Sequence, residues 1–506
     1  MSTRATLVLM FLACLLLGIA RSDLALPAIG KKKTELVFWN GFTGPDGRTM
    51  LGMIRRFNEQ NPDLHVTMQR MDWATYYNKL MVASVDGRGP QLFIIHAATL
   101  PRMVRAGFVS SVDGMFEGPG ALPREDFDEY VLEQVEFEKG LVGVPLDIHP
   151  QGMYVNLAML REAGISKPPQ TRDEFLRAIR AVNKDLDGDG QNDRWGFALT
   201  FWRNNFQSLV PQFGGRYAAP DGRSDLDNPA NVKAAEFMGS LTKQKLIPPP
   251  ENGLGWVGFR QKKVAMVWDG VYMLGDLKRL GDFEYIGTPL PLIGEKPGTM
   301  ADSHVLCIRE GITAAEREGA ERFTKFLSAN SVEWAAAGQV PARKSVRADP
   351  EFQKMQVQSA FAEQIPAMMY PLRTPVLFEM TLEIDLAVEK VMRARASAAQ
   401  ALKAARENTQ RFFDRDQRES DSPKALRRRS RSSLVSTRHG RLPTLDPLAD
   451  SLSALPSLPP LAGRLPTPYS LTVSDSAEPC LPPLAGRLPT PYPLPISAAP
   501  RQGGEA

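Results

Sequence analysis

The residues in this chain best suited to chemistry are aromatic side chains standing beside carboxylates and amides. Trp39 and Phe42 follow the first apolar run, and Asp72-Trp73 precede a helical stretch. Asp147 and His149 lie in a segment flanked by prolines, with Asn156 shortly after. Trp202, Trp256, Trp268, Asp269 and Tyr272 come from farther along. Aromatic faces cover the apolar C–H surfaces of a polyhydroxylated ring, and acids and amides pair with its hydroxyls. This is binding chemistry. A glycosidase would need two carboxylates flanking one bond, a pairing that sequence does not reveal. Neither a Gly-x-Ser-x-Gly nor a His-Glu-x-x-His motif is present. Any single tryptophan has a plainer role in a core. Trp195, inside a Trp-Gly-Phe-Ala-Leu run, is assigned there.

A second pattern could hold a metal. Asp185-x-Asp187-x-Asp189-Gly190-x-Asn192-Asp193 places hard oxygen ligands around one turn, as calcium loops do. The twelfth position, where a bidentate Glu belongs, is Gly196, so the full EF-hand pattern is absent. The expectation is a solvated loop, with structural calcium on Asp185, Asp187, Asp189 and Asp193 as the alternative. The chain has 5 histidines, none spaced as ligand pairs, so no metal catalysis and no other cofactor is expected.

The elements that must position these residues alternate in type. A strand at 35–39 leads through a Gly/Pro turn to a helix with Met50, Met53, Ile54 and Phe57 at helical spacing, stopped by Asn61-Pro62. A strand at 64–68, a helix over 73–85 and a buried strand at 92–95 follow. Further strands are expected at 142–146, 152–156 and 264–268. Thr171-x-x-Glu174 is a capping box opening a helix to Val182. Helices over 319–329, 330–338 and 376–412 close the body, the last mostly solvated. The pattern predicts an α/β fold with largely parallel strands.

Composition is that of a globular protein, 43% hydrophobic and 23% charged over 506 residues, enough for two or three core-forming units. The net charge of +4 belongs to the end of the chain. The last 84 residues hold 10 Lys/Arg and 5 Asp/Glu, leaving 51 and 52 in the rest. The neutral body gives no reason to expect a nucleic acid partner. Those last residues also hold 16 of the 41 prolines and repeat LPPLAGRLPTPY at 458–469 and 481–492. A disordered tail is expected there, whether tether, Pro-rich ligand or duplicated sequence without a role. At the start, Arg4 and an apolar run of roughly 14 residues, too short to span a bilayer, lead to Gly18-x-Ala20, a signal-peptide pattern. A lipid anchor on Cys14 is the weaker reading. Cys307 reads as a buried strand thiol.

Several blocks have a recognisable order: Leu36-Val37-Phe38-Trp39; Phe57-Asn58-Glu59-Gln60-Asn61-Pro62; Tyr77-Asn78-Lys79-Leu80 through Gly89-Pro90-Gln91; and Gly143-Val144-Pro145-Leu146-Asp147. Then come Tyr154-Val155-Asn156, Ala163-Gly164-Ile165, Pro168-Pro169-Gln170-Thr171, Phe259-x-x-Lys262-Lys263-Val264, and Asp269-Gly270-Val271-Tyr272. Together, over roughly 34–418, they resemble the extracellular solute-binding proteins of ABC importers, in the maltose-binding-like group. The resemblance implies a two-lobe periplasmic-binding-protein fold whose lobes close around a ligand. Crossing segments are expected near 145–149, 288–291 and 339–343. The implied organisation is a signal peptide at 1–22, one lobe from 34–146 and 288–340, a second from 147–287 and 341–418, and the tail over 420–506. The implied function is extracytoplasmic or periplasmic capture of a sugar for a membrane permease by a monomer without enzyme activity. Tyr272 matches a position that commonly stacks on ligand. Gln91 stands where the family usually has Asp, Val155 where it has Tyr, and Ile95 where the maltose-binding branch has an aromatic, so maltodextrin specificity is not carried over. The alternatives are a phosphoester, polyamine or peptide binder, with Arg203 beside Trp202 as an anion group, an exported carbohydrate-active enzyme, and a sensor without an importer.

Overall fold

The computed structural model describes residues 33–281 and 283–421. The expected signal peptide, the Cys14 anchor and the tail repeats lie outside those residues. Strand β1 (Thr34–Asn40) is followed by helix α1 (Pro45–Gln60), which opens on a proline whose missing N–H costs nothing in the first turn. One face of α1 buries Met50, Met53, Ile54 and Phe57. Strand β2 (Leu64–Arg70) pairs parallel with β1, and helix α2 (Trp73–Asp86) ends at Gly87, whose φ of 65° suits glycine. Strand β3 (Leu92–His96) completes the run, and the chain leaves through β4 (Val144–Pro145) and β5 (Asp147–Ile148).

The second lobe holds β6 (Gln151–Asn156), α3 (Arg172–Val182), β7 (Trp195–Leu199), α4 (Trp202–Gln212), α5 (Pro229–Lys243), β8 (Val264–Gly270) and β9 (Tyr285–Thr288). The chain returns as β10 (His304–Ile308) and α6 (Ala314–Ala329), crosses again at β11 (Val340–Pro341), and the described residues close with α7 (Gln356–Ala362), α8 (Leu377–Met392) and α9 (Ala398–Ser420). The predicted Thr171–Glu174 capping box forms in both directions at α3. Among the described residues no helix is long and apolar enough to cross a membrane. Cys307 is buried in β10, as expected.

The two sheets have orders β2-β1-β3-β10-β4 and β9-β6-β8-β7. The strands are less parallel than expected. β1 pairs parallel with β2 and β3, and β8 with β7. β10 runs antiparallel to β3 and β4, and β6 to β8 and β9. β6 and β10 each begin just after a crossing, so they enter their sheets from the cleft end, against the direction of the βα units. The first core joins Phe38, Phe57 and Phe323, with ring centroids 5.6 and 4.9 Å apart. The second centres on Trp268 with Phe175 and Phe197 at 5.2 and 5.0 Å.

Three expected helices change. The one expected at 319–329 starts at Ala314, because Thr313 and Glu316 form a second capping box. The expected 330–338 shortens to Ser331–Ala335. The single helix at 376–412 is two. The break carries Ala394 at φ 52°, and Ser397 and Gln400 cap each other's backbone N–H groups to restart α9. Neither half is merely solvated, since α8 buries Leu377, Met380, Ile384 and Val388, and α9 buries Leu402 and Ala405, against the second core.

The crossings also differ. β5 pairs with β11, Ile148 opposite Val340, forming a two-stranded ribbon. The crossing expected at 288–291, and with it the first-lobe assignment of 288–300, is displaced. The Gln212 amide donates to the carbonyls of Pro291 (3.2 Å) and Gly298 (3.1 Å) and accepts the Ile293 N–H (2.7 Å). Thr299 donates to the Gln151 carbonyl. Residues 291–299 are thus held to the second lobe, and the chain crosses at 301–303. Residues just after 341 stay with the first lobe, through Arg343 on Asp126 and Arg347 on Asp128. Gln212→Ala is expected to lower the unfolding free energy by about 2–3 kcal/mol, since it orphans buried carbonyls and an N–H. Urea denaturation checks this; a loss below about 0.5 kcal/mol would mean that water replaces the clamp.

Candidate functional site

The site is built where β1, β3, β8 and β10 meet the crossings. Trp73 opens α2, and Asp72 caps that helix by accepting the Thr75 N–H at 3.0 Å. The Trp73 ring lies on the backbone of Gly41, where a Cβ would fall 2.2 Å from the indole, so only glycine fits beneath it. Trp73 stacks on Tyr77 one turn later (5.7 Å, 26°) and on His304 (5.6 Å, 9°), and meets His96 at 4.6 Å. Phe42 presents its edge to Trp73 and His304 and packs on Trp334.

Asp147 is fully buried beneath these rings. Its carboxylate accepts from His304 Nδ1 (2.8 Å), the His304 N–H (2.9 Å), Trp334 Nε1 (2.6 Å) and, more weakly, His149 Nδ1 (3.3 Å). Burial opposes its charge, but His304 and His149 outweigh burial and hold the carboxyl well below the usual range. The His149 ring lies 4.7 Å from His304, 5.4 Å from His96 and 6.3 Å from Tyr272 of the second lobe. Tyr77 bonds His96 Nδ1 through its hydroxyl.

Acids ring this cluster. Burial pushes Asp269 up to about 7, opposed by the Gly270 N–H and the Thr200 and Tyr272 hydroxyls. Burial pushes Asp302 up to about 6, opposed by His149 and the Ser303 and Ala98 N–H groups. Burial raises Asp46 as well, against the Gly47 N–H and His304.

Of the residues expected from sequence, Phe42, Trp73, Asp147, His149 and Tyr272 come together. Trp39 stands at the end of β1, with the Lys79 ammonium 4.5 Å over its ring, and Asp269 at the end of β8. Five expected residues have other work. Trp268 is fully buried in the second core. Trp256 packs on Tyr154 and Phe259 and donates to Asp276. Trp202 lies against the second core under Arg393. Asn156 caps the helix Leu157–Glu162 by accepting the Met159 N–H, and Asp72 caps α2. In each case the demand of packing or of a helix end takes the side chain. The sequence reading missed His96, His304, Trp334 and Asp302. His96 and His304 sit directly opposite each other on β3 and β10, a pairing that local spacing cannot show.

In the acidic loop, carboxylate oxygens of Asp185, Asp187 and Asp193 lie within 4.8 Å of one another. Asp189 is outside that group and accepts the Gln191 N–H. Backbone N–H groups of Gly188, Gly190 and Leu186 already bind Asp185 and Asp193, and the Gly190 N–H leads the lowering of Asp185. These bonds hold the loop's shape with its own amides.

Residues 52–358 match the family model for bacterial extracellular solute-binding proteins. Binding proteins of Brucella abortus are 24% identical over 275 residues, 53% of this chain, and the chain spans 64% of their length. The maltotriose-binding protein of Pyrococcus abyssi is 19% identical over 369 residues, 71% of this chain and 78% of its own. The sugar-binding protein MalE of Xanthomonas citri superposes with a TM-score of 0.67 at 19% identity, over 76% of this chain and 98% of that one. Its two-lobe fold is the architecture described above. With more than half its length matched, this chain belongs to the bacterial extracellular solute-binding protein family.

Proposed function

We propose that the chain is the extracytoplasmic ligand-binding subunit of an ABC importer, holding a sugar or oligosaccharide between its lobes and handing it to a permease. The observation that carries this reading is a set of buried polar atoms near the crossings that have no partner among the described residues. They are Trp39 Nε1 and Asn40 Nδ2 at the end of β1, Gln151 Nε2 at the start of β6, and Gln339 Oε1 beside β11. A buried polar atom left unpaired costs about 1–3 kcal/mol. Sugar hydroxyls, which both donate and accept, would satisfy such a mixed set while ring faces rest on Trp73 or Tyr272. The maltotriose bound by the Pyrococcus relative supports the same class. A phosphoester fits less well, because the nearby acids would repel it and Arg203 is already engaged by Asp385. The chain acts as a carrier and not an enzyme in this reading, with the segment 1–22 directing export.

The test is a thermal-shift screen of the full-length protein against sugars, polyols, phosphoesters and polyamines. A ligand bound only by the folded state adds about 2.7 kcal/mol at 100 times its dissociation constant. A shift with one sugar class, and recovery of that sugar unchanged, is expected. A shift only with a phosphoester or polyamine would overturn the sugar reading, and consumption of the sugar would overturn the carrier reading.

A further inference from the structure

We infer that Asp147, His149 and His304 form a binding site for a divalent transition-metal ion within the cleft. One ligand atom from each of the three lies within 4.8 Å of the others, and all three residues are buried. His304 Nδ1 stands 2.8 Å from one carboxylate oxygen of Asp147 and His149 Nδ1 3.3 Å from the other. Ligands held about 2.0–2.2 Å from a zinc ion at tetrahedral to octahedral angles are themselves about 2.8–3.6 Å apart. Each imidazole nitrogen therefore already stands at ligand spacing from one oxygen of the shared carboxylate, with the ligand atoms of all three within 4.8 Å, and binding exchanges the hydrogen-bonding protons for the metal.

The surroundings fit a metal centre. Trp334 Nε1 and the His304 N–H fix both carboxylate oxygens, as outer partners orient a ligating carboxylate. Trp73 lies flat against the His304 ring and Phe42 meets its edge, giving an apolar wall. Negative charges act on both histidines, Asp302 on His149 and Asp46 on His304, favouring a cation. His96 stands within ring-contact distance of both histidines, 4.9 Å from His304. Two imidazoles and a carboxylate suit zinc, cobalt or nickel, whereas the exposed oxygen-only loop at Asp185, Asp187 and Asp193 suits calcium or magnesium. Asp147 and His149 sit on the crossing ribbon, and Tyr272 closes over His149 from the other lobe, so movement of the second lobe gives the ion its path. The site stands independently of which solute the cleft carries.

The full-length protein, stripped with a chelator, is titrated with zinc by calorimetry and with cobalt by visible absorption. Near one equivalent of zinc is expected at this site, with cobalt giving the ligand-field spectrum of a nitrogen- and oxygen-ligated ion of low coordination number. His149→Gln and His304→Gln should each weaken zinc binding by at least about tenfold, while His65→Gln, on the exposed face of β2, leaves it unchanged. Near-UV circular dichroism checks that each variant folds. If the histidine variants do not fold, the wild type decides alone: zinc must raise the melting temperature where magnesium and calcium do not. The inference is overturned if wild-type protein takes up no zinc, or if zinc is lost from Asp185→Asn but kept in His149→Gln. It is equally overturned if spermidine binds with no zinc uptake, which would assign the cluster to an organic cation.

Discussion

Asp147→Asn is expected to lower the unfolding free energy of chelator-treated protein by about 3–5 kcal/mol, the usual cost of breaking a buried charge cluster by removing one member. The carboxylate accepts four hydrogen bonds from His149, His304 and Trp334 and is wholly out of solvent. An asparagine of the same shape offers one oxygen and turns an amide N–H toward donors. At least one of the Trp334 indole and the two histidines then loses its acceptor. The measurement is the urea midpoint at constant slope. A loss below about 1 kcal/mol would show that the cluster tolerates a neutral partner and that Asp147 is not the anchor of the crossing ribbon.

Asp269→Asn is expected to move stability the other way at neutral pH. Burial raises the folded-state carboxyl to about 7, above its unfolded value of roughly 4. The native state therefore holds its proton more tightly than the unfolded chain. The stability this provides is complete below about pH 4 and is lost as pH rises through 7. Asparagine does not titrate, so the variant's advantage over wild type should grow with pH by up to roughly 4 kcal/mol between pH 4 and 8. Unfolding curves at several pH values read it, and parallel pH profiles for the two proteins would refute it. The same change should weaken ligand binding, because Asp269 stands at the end of β8 and its carboxylate engages Tyr272, which faces His149 across the lobes. Gained stability with lost affinity is what a buried, strained acid in a binding site predicts.

Much of the architecture was legible because local signals were strong. The Met50–Phe57 spacing, the Asn61-Pro62 stop and the Thr171–Glu174 box each specify their element without tertiary help. Two further boxes, Thr313-x-x-Glu316 and Ser397-x-x-Gln400, were equally local; composition alone set the wrong start for α6 and hid the break before α9. The crossing at 301–303 was not legible, since it depends on one glutamine gripping a segment some 80 residues away. The residues of the candidate site divide in the same way. Trp73 and Asp147 were proposed from loop position and residue type, and the structure places both in the histidine cluster. Trp268 was misread because a tryptophan at a strand end can point to core or cleft, and only packing against Phe175 decides which. His96 and His304 were missed because their meeting is a property of strand register.

The unequal crossings have a mechanical consequence. The β5–β11 ribbon is tied to Asp147, whose partners His304 and Trp334 belong to the first lobe. Rotating the second lobe need not break any of those bonds. The third connection is a span of three residues between the Gln212 clamp and β10, too short to absorb much translation. Sliding of the lobes is thereby blocked, and twist about the ribbon is the compliant mode. The molecule has one stiff axle and one short strap, which together favour a swing of the second lobe over a slide.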